Sequence, residues 1–351
     1  MPVAESIAPA RWLLIGLALW AGSAPAAGRG VHEWLAAMSE AVQNLNYKGI
    51  FVYAHGDQLE AMRIYHANDG DGEHERLVSL NGAPREVLRD HEHLTCILPD
   101  KEAVMVEKSR PRKYLPEALL GDLGALEPHY RFELGGTDRM AGRPARVVMV
   151  SPRDAYRYGY RLWLDQEHAM ILKSDLVDHR GRAIEQVMFV DLQVVPKLDP
   201  RKLAPAISGE GYRWFRSEIG DGEAAPGQGP GEERAEERGA AGTGHHSQWV
   251  VTRAPPGFVL RMSTHHPLPI GPAPVEHLVL SDGLASVSVF IERAMDEADA
   301  LTGVSSMGAV NAYGRRLAGY QVTVVGEVPQ ATVVMIGKSI VYRGGGRGET
   351  P

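Results

Sequence analysis

From Gly159 to Val194 apolar and polar side chains alternate in three successive runs. Tyr160, Leu162 and Leu164 share one parity, and Arg161, Trp163 and Asp165 the other. Met170, Leu172 and Leu176 are set against Ile171, Lys173 and Asp175. Ile184, Met188, Val190 and Leu192 are set against Glu185, Val187, Phe189 and Asp191. A period of two puts each set on its own face of a sheet. The polar stretches Asp165–His168 and Asp178–Gly181 suit the connecting turns. The second face carries charges but also Trp163, Val187 and Phe189, so each face needs a cover, or one needs a ligand.

Upstream, Val31, Trp34, Leu35, Met38, Val42 and Leu45 recur at helical spacing and predict an amphipathic helix packed on one face of that sheet. After Tyr47 the period shortens to that of a strand. GIFVYAH and LEAMRIYH flank Gly56-Asp57, a hairpin signal. Further strands are expected around 76–80, 85–89, 93–98, 103–107, 130–134 and 145–150, punctuated by Asn81-Gly82, Asp90 and Pro99-Asp100. An irregular stretch with Leu115, Leu119, Leu120, Leu123 and Leu126 could plug or lid the sheet. Ten or more locally connected strands against one or two helices argue for a curved antiparallel half-barrel with an apolar mouth.

From Ala204 to Ser247 the chain changes character, and its stretch GDGEAAPGQGPGEERAEERGAAGTGHHS has almost no apolar residue larger than alanine. Such a segment buries too little to offset its ordering entropy and is expected to be a disordered tether. Order is expected again from Gln248, with a hairpin closed at Asp282-Gly283, a strand QVTVV, and a helix opened by Pro329. The expected division is 1–27 leader, 28–204 large domain, 205–247 linker, 248–343 small α+β domain and 344–351 tail. A chain of 351 residues accommodates two such domains.

Composition narrows the function. A net charge of −7 gives nucleic-acid binding no electrostatic footprint, and the single Cys96 excludes an intrachain disulfide. Arg11, the apolar run Trp12–Trp20 and Ala24-Pro25-Ala26 form an export leader, cleaved near Ala26 and too short to span a bilayer at about 20 residues. The alternative is an uncleaved anchor. The expected compartment is a bacterial periplasm, where the absence of a G-x-x-x-x-G-K-[ST] loop is in keeping. His91-Glu92-His93 has a spacing some metal sites use, without H-E-x-x-H or an evident third ligand; a surface turn is the plainer account. No G-x-S-x-G occurs, and no cofactor or metal is expected.

W-L-x-x-M at Trp34–Met38, L-N-Y-x-G at Leu45–Gly49, P-R-E-V at Pro84–Val87, Y-R-L-W-L-D at Tyr160–Asp165 and D-x-x-G at Asp178–Gly181 form an ordered series. P-P-G-F at 255–258, S-D-G-L at 281–284 and V-G-E-V-P at 325–329 continue it. The series resembles the RseB/MucB family of periplasmic regulators of the sigma-E envelope-stress response, across the whole mature chain. The resemblance implies a large domain similar to the lipoprotein carriers of the LolA/LolB kind. It also implies a small domain that grips the periplasmic region of a membrane anti-sigma factor (RseA/MucA-like) and hides its cleavage site. Release would follow sensing of lipid, lipopolysaccharide or mislocalised lipoprotein.

On strand parity, the candidate apolar ligand surface is Trp34, Leu35 and Met38 from the helix with Leu162, Leu164, Leu172, Met188 and Val190 from the strands. Tyr313, Arg315 and Arg316 make a basic, aromatic cluster suited to an acidic or polar segment, a solvated face being the alternative. With Phe258 and Asp282 they are the candidate partner contacts. A homo-oligomer is compatible with the sequence. A periplasmic carrier of lipid or lipoprotein is the second reading, and an exported hydrolase the third. The third lacks a nucleophile–base pair that can be assembled from the sequence.

Overall fold

The computed structural model describes residues 29–69, 72–109, 119, 123–216, 248–267, 274–294 and 301–343. The leader reading, most of the 111–126 stretch, residues 217–247 of the expected tether and the 344–351 tail lie outside the described residues.

The large domain is one helix and one sheet. Helix α1 (Val31–Asn44) is capped where the Glu33 carboxylate accepts from the Gly30 N–H at 2.8 Å, an acid at the positive end of the helix. It is followed by β1 (Tyr47–His55), β2 (Gln58–Asp69), β3 (Gly72–Ser79), β4 (Glu86–Arg89), β5 (His93–Leu98) and β6 (Ala103–Lys108). Then come β7 (Tyr130–Met140), β8 (Arg143–Pro152), β9 (Gly159–Asp165), β10 (Ile171–Val177), β11 (Ala183–Val194) and the short β12 (Arg213–Arg216). Their order is β12-β6-β5-β4-β3-β2-β1-β11-β10-β9-β8-β7, antiparallel except where β12 runs parallel to β6.

α1 touches both β2 and β7, although five strands separate them in the sheet. A flat sheet cannot do this, so the sheet curls around the helix with both rims open, the half-barrel that the alternation predicts. Leu35, Met38 and Val42 are fully buried against Ile64, Leu162 and Leu164. Beyond the helix, buried His66 joins its end to the sheet through the Leu45 carbonyl at 2.8 Å and Glu73 at 2.9 Å.

The order does not stop at residue 204. Arg76 pairs with Glu86 and donates to the Lys202 carbonyl at 3.0 Å. Glu86 accepts from the Ala206 and Ile207 amides, and Arg213 N–H donates to the Glu102 carbonyl at 2.8 Å. The beginning of the expected linker is therefore pinned to the outer face of the sheet. Its low hydrophobicity concealed a segment held by a buried carboxylate rather than by apolar burial.

The small domain has a six-stranded antiparallel sheet in the order β14-β15-β16-β19-β18-β17. These are β14 (Val259–Pro267), β15 (Pro274–Ser281), β16 (Ser286–Arg293), β17 (Gly303–Met307), β18 (Val310–Leu317) and β19 (Tyr320–Gly326). β13 (Trp249–Val251) pairs with β20 (Ile340–Tyr342). Helix α2 (Gln330–Ser339) packs on β18 and β19, burying Val333 and Ile336 against Val322 and Val324.

Candidate functional site

Two regions of the molecule could recognise something: the inner face of the large sheet and the surfaces around the small domain. On the inner face the structure separates the eight candidate residues. Trp34, Leu35, Met38, Leu162, Leu164 and Leu172 meet in one core between α1 and the sheet, every one of them buried. The gap left beside them, lined by Tyr47, Met170, Leu172, Ser174, Val187 and Phe189, has a volume of about 10 Å³. That is room for about one water molecule, not an acyl chain. These six residues hold the helix in place.

Met188 and Val190 are not on this face. β1 and β11 slip register between Ile50 and Phe51, so that Ile50 pairs with Asp191 but Phe51 with Phe189, and Val190 is bulged out. A bulge inverts parity along the rest of the strand. Leu192, Phe189 and Val187 therefore share the inner side, while Met188 pairs with Lys173 on the outer side and Val190 is 53% exposed. The sequence period alone carries no mark of the inserted residue.

The inner face opens further along, where α1 no longer covers it. Pairing carries one stripe outward from Ile64 through Leu77, Val87, Cys96 and Met105 to Phe215. Burial falls steadily along it: Ile64 is fully buried, Leu77 is 9% exposed, Met105 39% and Phe215 50%. Burial pushes the Cys96 thiol pKa up, so it lies in this trough as a neutral group. Arg85 flanks the trough, donating to Glu60 at 2.8 Å, and the Nε of Arg89 has no hydrogen-bond partner. Arg89, Cys96, Met105 and Phe215 were not among the candidates; the signal for them was the pairing of β4, β5, β6 and β12, which only the fold supplies.

The second region is the junction between the domains, and its core is a charge. Arg157 has no exposed side chain. Its Nη1 lies 2.6 Å from Asp282 Oδ2, both side chains fully buried. Its Nη2 donates to the Pro256 carbonyl at 2.5 Å and to Asp154 at 3.0 Å. The guanidinium lies over the rings of Tyr130 and Phe258, 5.5 and 5.3 Å from their centroids. Burial, then the Asp282 charge, hold the Tyr130 hydroxyl protonated far above its usual range, so it donates to Asp282 at 3.0 Å. Gly257 has φ +85°, and a Cβ there would collide with the His129 ring.

Around this centre the segment preceding β9 sends further bonds across. Tyr156 carbonyl accepts from Thr332 Oγ1 at 2.5 Å, and Tyr158 hydroxyl from Asn311 Nδ2 at 3.1 Å. Glu185 takes the Tyr53 hydroxyl at 2.6 Å and the Ala309 amide at 3.1 Å.

The five partner candidates divide accordingly. Phe258 and Asp282 are buried in the junction and face the protein's own large domain, a correction to their reading as partner contacts. Tyr313 packs against α2 at Gly337, and Arg315 donates to the Ile340 carbonyl, so both secure the helix. Arg316 is exposed on the surface. Sequence reading placed Asp282 in a hairpin turn but had no means of linking it to Arg157, more than a hundred residues earlier.

Metal-like groupings resolve into ion pairs. Asp165, Glu167 and His168 bring ligand atoms within 4.8 Å of one another, but Arg143 occupies their centre, bonding both Asp165 oxygens at 3.0 and 2.9 Å and Glu167 at 2.9 Å. His91, Glu92 and His93 lie exposed at the entry to β5. No helix among the described residues is long and apolar enough to cross a membrane.

Comparison with known proteins places this geometry. Residues 30–207 match the family model of the MucB/RseB N-terminal domain, and residues 243–341 that of the MucB/RseB C-terminal domain. The Sigma factor AlgU regulatory protein MucB of Pseudomonas aeruginosa is 32% identical over 320 residues, 88% of this chain and 90% of that protein. The Sigma-E factor regulatory protein RseB of Escherichia coli K12 is 27% identical, covering 92% of both chains. The solved complex of Pseudomonas aeruginosa MucA/MucB contains a chain 28% identical to this one, with a TM-score of 0.64 over 90% of this chain and 99% of that one. The chain belongs to the MucB/RseB family, with both of its domains in order.

Proposed function

We propose that the protein is a two-domain regulator that holds the periplasmic region of a membrane anti-sigma factor of the MucA/RseA kind. While held, that region is shielded from the protease that starts its degradation, and the envelope-stress sigma factor stays repressed. The supporting observation is that the relationship runs through both domains, to relatives named as sigma-factor regulators and to a structure of one of them with MucA. The protein then works in the periplasm after removal of its leader near Ala26, and has no catalytic step. N-terminal sequencing of the exported protein reads the cleavage site.

Partner contact falls to the edge strand β17, where Val304 is 45% and Met307 76% exposed. An extended segment can pair with such an edge. The test is protection: stoichiometric protein should slow cleavage of a purified MucA-type periplasmic segment by its site-1 protease. Unchanged cleavage would refute the reading. Met307→Glu should weaken protection roughly tenfold, the cost of a charge at a contact of about 1.4 kcal/mol.

The switch requires a ligand that prefers the released arrangement, and the coupling must be reciprocal. The apolar trough from Val87 to Phe215, with Arg85 and Arg89 beside it, suits an acyl chain with an anionic head better than the filled centre does. A fluorescent fatty acid, used below its micelle concentration, should bind, and Met105→Glu should abolish its binding. If saturating lipid leaves partner affinity unchanged, sensing is excluded and only the grip remains. The same trough supports the carrier reading, which a cargo-transfer assay between membranes distinguishes.

A further inference from the structure

β12 is the last strand at its rim of the large sheet, and all four of its residues, Arg213-Trp214-Phe215-Arg216, are exposed. Trp214 is 54% and Phe215 50% exposed, which is unusual for two adjacent large aromatics in a folded strand. Alternation sends them to opposite faces. Phe215 pairs with Met105 on the inner side, with Arg213 stacked over its ring at 5.7 Å. Trp214 pairs with Val104 on the outer side, beside Gly209.

Among the described residues no hydrogen bond or ion pair engages these four side chains, and Trp214 rests only lightly beside Gly209. β12 is anchored by its backbone, through pairing with β6 and the Arg213 amide to the Glu102 carbonyl. Two arginines enclosing two aromatics, with no acid in the strand, form a positive, amphipathic edge on a chain of net charge −7. Aromatic rings settle at the headgroup level of a bilayer, while arginines reach anionic phosphates. The flanking Glu102 and Glu210 limit the attraction, so the contact is weak and sensitive to salt.

We propose that β12 is an interfacial foot that seats the large domain on an anionic bilayer surface. The open rim points at the membrane, and both faces of the sheet edge supply an aromatic. Such seating would keep the protein close to a membrane-tethered partner and raise the local concentration of one for the other without any contact between them. This goes beyond the proposed grip and does not depend on it.

The experiment is co-sedimentation of the full mature chain with vesicles of phosphatidylcholine containing one-quarter phosphatidylglycerol, against pure phosphatidylcholine. Binding is expected only to the anionic vesicles and should fall as salt is raised from 50 to 300 mM. Arg213→Gln and Arg216→Gln should each lower it about fivefold. Trp214→Ser with Arg216→Gln alters only the outer side and leaves Phe215 in the trough. It should lose vesicle binding yet keep monomeric fatty-acid binding and an unchanged Tm. Equal binding by this variant and the parent overturns the proposal, as does equal sedimentation with neutral vesicles. Capture of an extended peptide at this edge with no vesicle binding would overturn it too.

Discussion

Among the largest fully buried side chains, Arg157 is the one that carries a charge, and it meets two counter-charges, Asp154 in its own domain and Asp282 from the other. Desolvating a pair is expensive, but removing Arg157 leaves Asp282 buried without its counter-charge, at a cost of about 3–5 kcal/mol, whereas removing Asp282 leaves Arg157 its two bonds to Asp154. Arg157→Met should lower stability by that order in urea unfolding, and Asp282→Asn by less. The pair Arg157→Met/Asp282→Leu should recover much of the loss. A double variant as unstable as the sum of the singles would show that the two do not act as a pair.

Gly49 makes the same point in backbone terms. A Cβ there would lie 2.4 Å from the Asp191 carbonyl oxygen, beside the bulge at Val190. Gly49→Ala should cost about 1–3 kcal/mol through overpacking, measured by thermal unfolding. The sequence contained Gly49 within a motif but not its reason, because the close approach arises between strands distant in the chain. Arg157 was equally silent: only Asp154, three residues earlier, was near it in sequence.

At the scale of elements, the periodic parts were legible. The α1 stripe, the hairpin at Gly56-Asp57 and the turn at Asp178–Gly181 all form where the pattern put them. What failed was parity past the bulge and the short β12, whose four residues, Arg213-Trp214-Phe215-Arg216, are too few to show a period of two and set two aromatics side by side. The β9–β10 turn offers a pH test. Burial acts to raise the Asp165 pKa, but hydrogen bonds from Arg143 and His168 outweigh it and hold the carboxyl below its ordinary value. A depressed folded-state pKa means the stabilisation is complete above the unfolded value of about 3.9 and is lost as pH falls through the folded value. Asp165→Asn should therefore be less stable than the parent at pH 7, with the difference shrinking below pH 4 in urea titrations.

At the scale of the molecule, the candidate site was half legible. The motifs P-P-G-F and S-D-G-L were read as marks of a partner-gripping domain, yet Pro256, Phe258 and Asp282 grip the large domain. Composition separates domains but does not say which surfaces they turn toward one another. If the junction sets their relation, charge reversal at Glu185, which takes the Ala309 amide and the Tyr53 hydroxyl, should loosen it. Glu185→Lys should raise the radius of gyration in solution scattering while each domain keeps its own melting transition. An unchanged radius would mean that this end of the junction is dispensable.

The buried Arg157–Asp282 contact also changes what the stretch between residues 216 and 248 has to accomplish. A connector whose ends are already fixed by side chains elsewhere sets no angle. Its length is free to drift, and lengthening it adds only about 0.6 kcal/mol of closure entropy per doubling. A single protease nick there should yield two polypeptides that still travel through gel filtration as one particle.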